Sequence, residues 1–357
     1  MFNITVLTLT DRIACFYSLS PFLRNTDTRY RFRYTDDPRW CLAHDRNEIL
    51  IMMRQFIKPD TVDTVLLEQL RAKYKIIAFF HDDAGGGIPR LEVLPFVDHF
   101  YTKAIFRDRS LYSRQLYGKE LYSDYYHTTY GVIDPDARPR TVCSDPAEVA
   151  KIKLSWNIGL GNYPRNQMRQ RAGVVVSRLA GVAAARCFYS AVRFDPEAAA
   201  ARNKGLYPVH ARFGLISRPS INWQRKMILD RILANTSFLT GMVPQGQFNR
   251  ETAHSNIVLS PFGWGELCLR DFEAIYAGSL LLKPDMSHLE TWPDIFIPEE
   301  TYVPFDWDAS DLEQKASFYL ENHDARLKIV RAAGAKYRAD LDSAQDRFSA
   351  IMKEITQ

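Results

Sequence analysis

Two doubly wound α/β domains, facing each other across a central cleft, are the architecture this sequence predicts. Three observations predict it. Short continuous apolar runs alternate with helical stretches, the signature of parallel strands covered on both faces. The alternation occurs twice, on either side of an Ala-rich stretch near residue 200. The chain has 357 residues, 46% of them apolar and 25% charged, enough to bury two cores.

In chain order, the first forty residues are rich in Arg, Asp and Tyr and have no clear period. Residues 48–53 (EILIMM) read as a buried strand. Residues 61–74 space Val62, Val65, Leu66 and Leu70 as a helix, and 75–80 (KIIAFF) form a second buried strand. A strand over 99–105, a helix over 108–117 and a Tyr-, Asp- and Pro-rich loop over 122–139 follow, and 165–188 is helical. Residues 196–202 with Asn203, Lys204 and Gly205 read as a linker. Beyond it come strands at 207–213, 256–259, 279–283 and 301–304, and helices at 221–234, 266–277, 311–322 and 324–352. The domains expected are therefore 1–200, 201–335 and a C-terminal helix at 336–357 that folds back on the first domain.

Composition excludes several classes. The charge balance of 46 basic against 42 acidic residues is mild, and no dense basic stripe marks a nucleic-acid binder. A modest cluster of Arg24, Arg29, Arg31 and Arg33 reads as solvated surface or as contact with an anionic partner or membrane headgroups. The five cysteines are isolated and form no CxxC, which fits a reducing cytoplasm better than a disulfide framework or a zinc site. The longest apolar stretch, 172–189, is broken by Arg178 and Arg186, short of the roughly 20 residues a membrane span needs.

The richest segment is 260–278, SPFGWGELCLRDFEAIYAG. A buried strand runs into a turn holding Gly263, Trp264 and Gly265, then into a helix. Glycines permit tight geometry and close ligand approach, and a helix N-terminus offers free N–H groups and a positive dipole end. Such a turn suits a diphosphate. At about 100° per residue from Glu266, Arg270 falls near 40° and Glu273 near −20°, so all three are expected on one helix face. Arg270 can fork onto phosphate oxygens and Glu273 can accept from sugar hydroxyls. The alternative is a solvated face with ion pairs of about 0.3–0.5 kcal/mol each.

The matched positions Pro261, Gly263, Gly265, Arg270, Glu273, Ala274 and Gly278, between two strands, resemble the donor-binding segment of GT-B glycosyltransferases, most of all the exostosin-like and spore-protein-type groups. The likeness is carried by residues 256–307. It implies two Rossmann-like domains, a nucleotide-sugar donor (UDP- or GDP-sugar) on the C-terminal one and an acceptor on the N-terminal one. It also implies metal-independent transfer with no resident cofactor, because helix dipole and basic side chains carry the leaving group. In related retaining families two glutamates stand eight apart; here Glu266 and Glu273 are seven apart, so the anomeric outcome does not carry over.

Further candidates lie where α/β proteins bind ligands, beyond strand C-terminal ends. Lys283, Asp285 and His288 could touch donor sugar or phosphate. His210 and Arg212 could bond the diphosphate, or form a strand-end salt bridge; Arg218 is a lesser candidate. His81, Asp82 and Asp83, before Gly85, Gly86 and Gly87, could supply the general base for an acceptor hydroxyl. The expected activity is glycosyl transfer to a surface polysaccharide, lipid-linked glycan or glycoprotein in the cytoplasm, with peripheral membrane contact left open. The competing reading is a non-catalytic nucleotide- or glycan-binding scaffold. A nucleotide-sugar epimerase is disfavoured because no GxGxxG follows the first strand.

Overall fold

The computed structural model of the chain describes residues 1–9, 15–53, 62–82, 90–118, 120–135, 137, 140–161, 167–189, 192–203 and 205–357. The N-terminal lobe contains β1 (Phe2–Leu7), α1 (Cys15–Arg24), β2 (Tyr30–Thr35), α2 (Pro38–His44), β3 (Ile49–Met53), α3 (Thr64–Lys73), β4 (Ile76–His81), β5 (His99–Thr102), β6 (Ala104–Phe106), α4 (Leu121–Tyr130), α5 (Pro146–Ala150), β7 (Ile152–Leu154) and α6 (Gln167–Ala180). The C-terminal lobe contains α7 (Pro196–Arg202), β8 (Tyr207–His210), α8 (Pro219–Ile232), β9 (Phe238–Leu239), α9 (Gln245–Ala253), β10 (Ser255–Leu259), α10 (Leu269–Ala277), β11 (Leu280–Pro284), β12 (Leu289–Thr291), β13 (Val303–Phe305), α11 (Leu312–Glu321), α12 (His323–Asp342) and α13 (Ala344–Ile355).

Both principal sheets are wholly parallel. The first runs β2-β1-β3-β4-β5-β7 and the second, read from its edge, β9-β8-β10-β11-β13. The first five strands of each therefore share one order, which reverses direction between β1 and β3 and again between β8 and β10. The fold class is the expected mixed α/β arrangement of two parallel sheets.

Alternate strand residues go to opposite faces, which is why each strand reads as unbroken apolar sequence. Ile4, Val6, Ile51, Met53 and Phe80 face one side of the first sheet. Leu7, Leu50, Met52 and Phe79 face the other, and their cluster continues into the C-terminal lobe through Val258, Phe262, Phe272 and Leu281. The opposite face of the second sheet has its own core of Val209, Ile257, Leu259, Leu282 and Val303.

Three further connections join the lobes. β12 pairs antiparallel with β6. Asn157 donates to the Pro293 carbonyl at 2.9 Å. Helix α13 lays Phe348, Ile351, Met352 and Ile355 on the first sheet, and its Glu354 accepts from Tyr101 at 2.7 Å.

Several expected elements differ. The loop expected over 122–139 contains α4, whose Tyr122 and Tyr126 are buried against the other lobe. Tertiary burial here overrides the weak helix propensity of Tyr, Ser, Asp and Thr. The linker at 196–202 is helix α7, started by Pro196 and by Asp195, which accepts from Ala198 N at 3.0 Å. The helix over 108–117 is only a 3₁₀ turn at Arg109–Ser113. The single helix over 324–352 breaks at Ser343, giving α12 and α13.

Candidate functional site

The reversal between β8 and β10 places two chain segments side by side: His210–Phe213 after β8 and Ser260–Glu266 after β10. Crevices at such points are where open α/β sheets bind ligands. Arg270 projects here from α10, its Nη2 donating to the Arg212 carbonyl at 2.7 Å and its guanidinium 5.9 Å from the Phe248 ring. Arg225 reaches in from α8, donating to Phe262 O at 3.2 and 3.3 Å and to Gly214 O at 2.8 Å. Neither arginine has a carboxylate within ion-pair distance among the described residues. Burial lowers the pKa of both. Two partly desolvated cations satisfied only by carbonyls form a site that an anion would complete.

The helix begins later than the angular reading assumed. Cys268 is the N-cap of α10, so Glu266 lies in the turn before it and does not share a face with Arg270 and Glu273. Asp271 closes a capping box, accepting from Cys268 N at 2.8 Å, while Cys268 Sγ caps the backbone of Asp271. The box uses part of the N-terminal donor set that the sequence reading left open. Gly263 and Gly265 are not among the left-handed glycines. Instead, a Cβ at Gly263 would come within 3.1 Å of Cys268 Sγ.

Glu266 is fully buried, and among the described residues neither carboxylate oxygen has a hydrogen-bond partner on another residue. Burial raises its pKa against the opposing charges of Lys103, Arg218 and Lys283. It sits on the seam between lobes: Tyr122 stacks on Phe262 with centroids 4.8 Å apart and donates to Gly263 O at 2.7 Å. Arg218 pairs with Glu120, donates to Tyr122 Oη at 2.8 Å and lies 3.7 Å from Asp134. Gln224 donates to Tyr126 Oη at 2.9 Å and accepts from Phe262 N at 2.7 Å.

Other predicted residues are engaged differently. Arg212 forms the strand-end salt bridge, forked onto Glu251 at 2.8 and 2.9 Å, so its charge is not free for a diphosphate. His210 is buried, with its pKa lowered to about 4 by desolvation and the nearby Arg270 charge; it is neutral and can offer a phosphate only a hydrogen bond. Glu273 is half-buried, its carboxyl pKa raised by burial, and lines a groove of about 600 Å³ between α9 and α10 with Phe248, Asn249 and Tyr276.

Lys283 is wholly buried as the ion partner of Asp271, at 3.1 Å without hydrogen-bond alignment, 5.2 Å from the Phe262 ring. It holds up the turn and has no surface for a ligand. Asp285 and His288 stand around Trp307: Trp307 donates to Asp285 O at 2.8 Å, and the His288 and Trp307 rings meet edge to face with centroids 5.1 Å apart. Trp264 is exposed. At the end of β4, His81 stacks on Phe100 at 6.0 Å, and Asp82 accepts from Ser18 Oγ at 2.5 Å. Asp83 and the three glycines after it lie outside the described residues.

Sequence reasoning missed Arg225, Lys103, Glu120 and Asp134, since no local pattern links an α8 arginine or an isolated acid to a turn far along the chain. Asp271 did leave a signal: Cys268-x-x-Asp271 is a capping box with a thiol in the usual hydroxyl position.

Residues 197–353 match the glycosyl transferase-like family. Among solved structures, the chain is similar to an alpha-glucosyltransferase (AGT) in complex with UDP (9% identity, 100% of both chains covered, TM-score 0.47). It is similar also to Anabaena Alr3699/HepE in complex with UDP-glucose (9% identity, 99% of this chain and 100% of that one, TM-score 0.46). A third is a glycosyltransferase from Rickettsia africae (8% identity, 100% of this chain and 99% of that one, TM-score 0.47). No ligand or reaction of this chain follows from likenesses at that level. No curated protein matches the sequence. No described helix is long and apolar enough to cross a membrane.

Proposed function

We propose that the protein is a glycosyltransferase that moves a sugar from a nucleotide-sugar to a hydroxyl acceptor without a metal or resident cofactor. The observation that carries the reading is the pair Arg225 and Arg270, converging on the β8–β10 reversal with donors ending on carbonyls, inside the segment that matches the glycosyl transferase-like family. These guanidiniums would stabilise the diphosphate as it leaves, acting as preorganised charge in a partly dry site. Glu273, one helical turn from Arg270, would accept from ribose hydroxyls. Glu266 would face the donor sugar once the lobes part at the Tyr122–Gly263 contact. Asp82 or Asp83, after β4, would take the proton from the acceptor hydroxyl while that oxygen forms the new glycosidic bond and the diphosphate departs. The acceptor would be a polysaccharide, lipid-linked glycan or protein held by the N-terminal lobe.

The test is thermal shift and calorimetry with UDP and GDP, then donor hydrolysis with the matching sugars. A specific ligand at about 100 times its dissociation constant should stabilise the fold by about 2.7 kcal/mol. Arg270→Ala should weaken diphosphate binding roughly 10- to 100-fold, the worth of a charge-assisted forked contact. Unchanged affinity in that variant would remove the assigned role, and binding with no turnover on any donor would favour the scaffold reading.

A further inference from the structure

The outer surface of the N-terminal lobe carries a helix that is inside-out. On α6, the buried side carries Gln170, Gly173, Val174 and Ser177. Among the described residues, Gln170 Oε1 and Ser177 Oγ find no hydrogen-bond partner. The solvent side presents Met168, Ala172, Val175 and Leu179. At about 100° per residue these fall within roughly 60° of one another, a single stripe along the helix. Met168 is 81% exposed, Val175 53% and Leu179 83%. A soluble helix ordinarily turns such a stripe inward.

The stripe ends in basic surface. The helix end, Ala180 and Gly181, and the following Val182 and Ala183 line a basin of about 550 Å³ whose other walls carry Arg31, Arg33, His44 and Arg46. None of the three arginines has a carboxylate partner among the described residues; Arg33 lies over the Trp40 ring at 3.8 Å. The acid in this wall, Asp45, is buried and already accepts from the Thr5 and Tyr74 hydroxyls. Arg171 adds a further exposed charge beside the stripe. Arginines on β2, an edge strand, also guard against edge-to-edge pairing. That role does not call for an exposed apolar stripe next to them.

We propose that this face seats the protein on an anionic lipid surface, with Met168, Val175 and Leu179 entering the acyl boundary and Arg31, Arg33 and Arg46 meeting lipid phosphates. An apolar helix face flanked by unpaired arginines is the chemistry of interfacial helices. Neither feature belongs to the donor site, so the proposal stands apart from the transferase reading.

The test uses the full chain and cosedimentation with vesicles of phosphatidylcholine alone and of phosphatidylcholine mixed with phosphatidylglycerol. Binding is expected only to the anionic vesicles and should fall with added salt. Arg31→Ser with Arg46→Ser should lower the partition constant about 25-fold, at about fivefold per arginine. Val175→Ser with Leu179→Ser should lower it about tenfold or more. All four positions are exposed, and an unchanged melting temperature of the variants checks that the fold is intact. Absence of binding to anionic vesicles overturns the proposal, as does binding that survives both double substitutions. It is equally overturned if heparin is bound with the stripe substitutions irrelevant, or if Leu179→Asp merely dissolves a dimer that ignores vesicles.

Discussion

Replacing Arg218 with Met should loosen the lobe seam. Arg218 faces two buried acids, Glu120 and Asp134, and the hydroxyl of Tyr122. Removing one partner of a buried ion pair strands the other charge and typically costs about 3–5 kcal/mol. Asp134 keeps bonds from Ser220 N at 2.8 Å and Ser220 Oγ at 2.7 Å, which continue to solvate its charge. Among the described residues, Glu120 keeps only the side-chain bond from Ser123 Oγ at 3.2 Å. The lower end, about 3 kcal/mol, is therefore expected. Urea unfolding followed by tryptophan fluorescence reads the loss as a shift in midpoint at unchanged slope. Glu120→Gln removes the anion that Arg218→Met strands. The double variant should lose less than the sum of the single ones by about 2 kcal/mol, as contacting residues do. Additivity within about 0.5 kcal/mol, or a loss from Arg218→Met below about 1 kcal/mol, would refute the view that this buried network holds the lobes together.

Two further predictions concern the C-terminal lobe. Gly278→Ala should destabilise by about 2–4 kcal/mol in the same urea assay: its φ of +67° is left-handed, and a Cβ would come 2.7 Å from the Ala199 carbonyl oxygen of α7. A loss under about 1 kcal/mol would mean that α7 is free to retreat. His210→Gln should flatten the acid limb of stability. Because burial lowers the His210 pKa to about 4, the unfolded chain binds the proton first as pH falls through 6.5. Folded stability is thus lost between pH 6.5 and 4, by about 3 kcal/mol at most, and parent and variant should converge or cross over that range. His288, depressed to about 4 in the same direction by burial, is present in both proteins and cancels.

How much of this was legible in the sequence follows from the range of the interactions involved. Strands β3, β4, β10 and β11 were readable because burial on both faces writes an unbroken apolar run into the chain. β1 and β2 were not: β2, at the sheet edge, alternates Arg31 and Arg33 with Phe32, so its composition resembles a polar loop. The turn at 260–266 was found, but its chemistry was assigned one step out. Periodicity extended α10 back to Glu266, whereas the cap at Cys268 starts the helix at Leu269, so Glu266 leaves the helix face of Arg270 and Glu273 for the buried turn at the lobe seam. Lys283 shows the same limit from the other side. A lysine at a strand C-terminal end is open to a ligand only if no acid lies under it, and Asp271, twelve residues earlier on the helix cap, takes that place. Asp271 also accepts from Ser260 Oγ at 2.6 Å, so the strand end, the helix cap and the buried cation form one support beneath the glycine turn. Such a support would hold the turn in place where Arg225 and Arg270 meet it, as preorganised stabilisation of the proposed diphosphate leaving group requires.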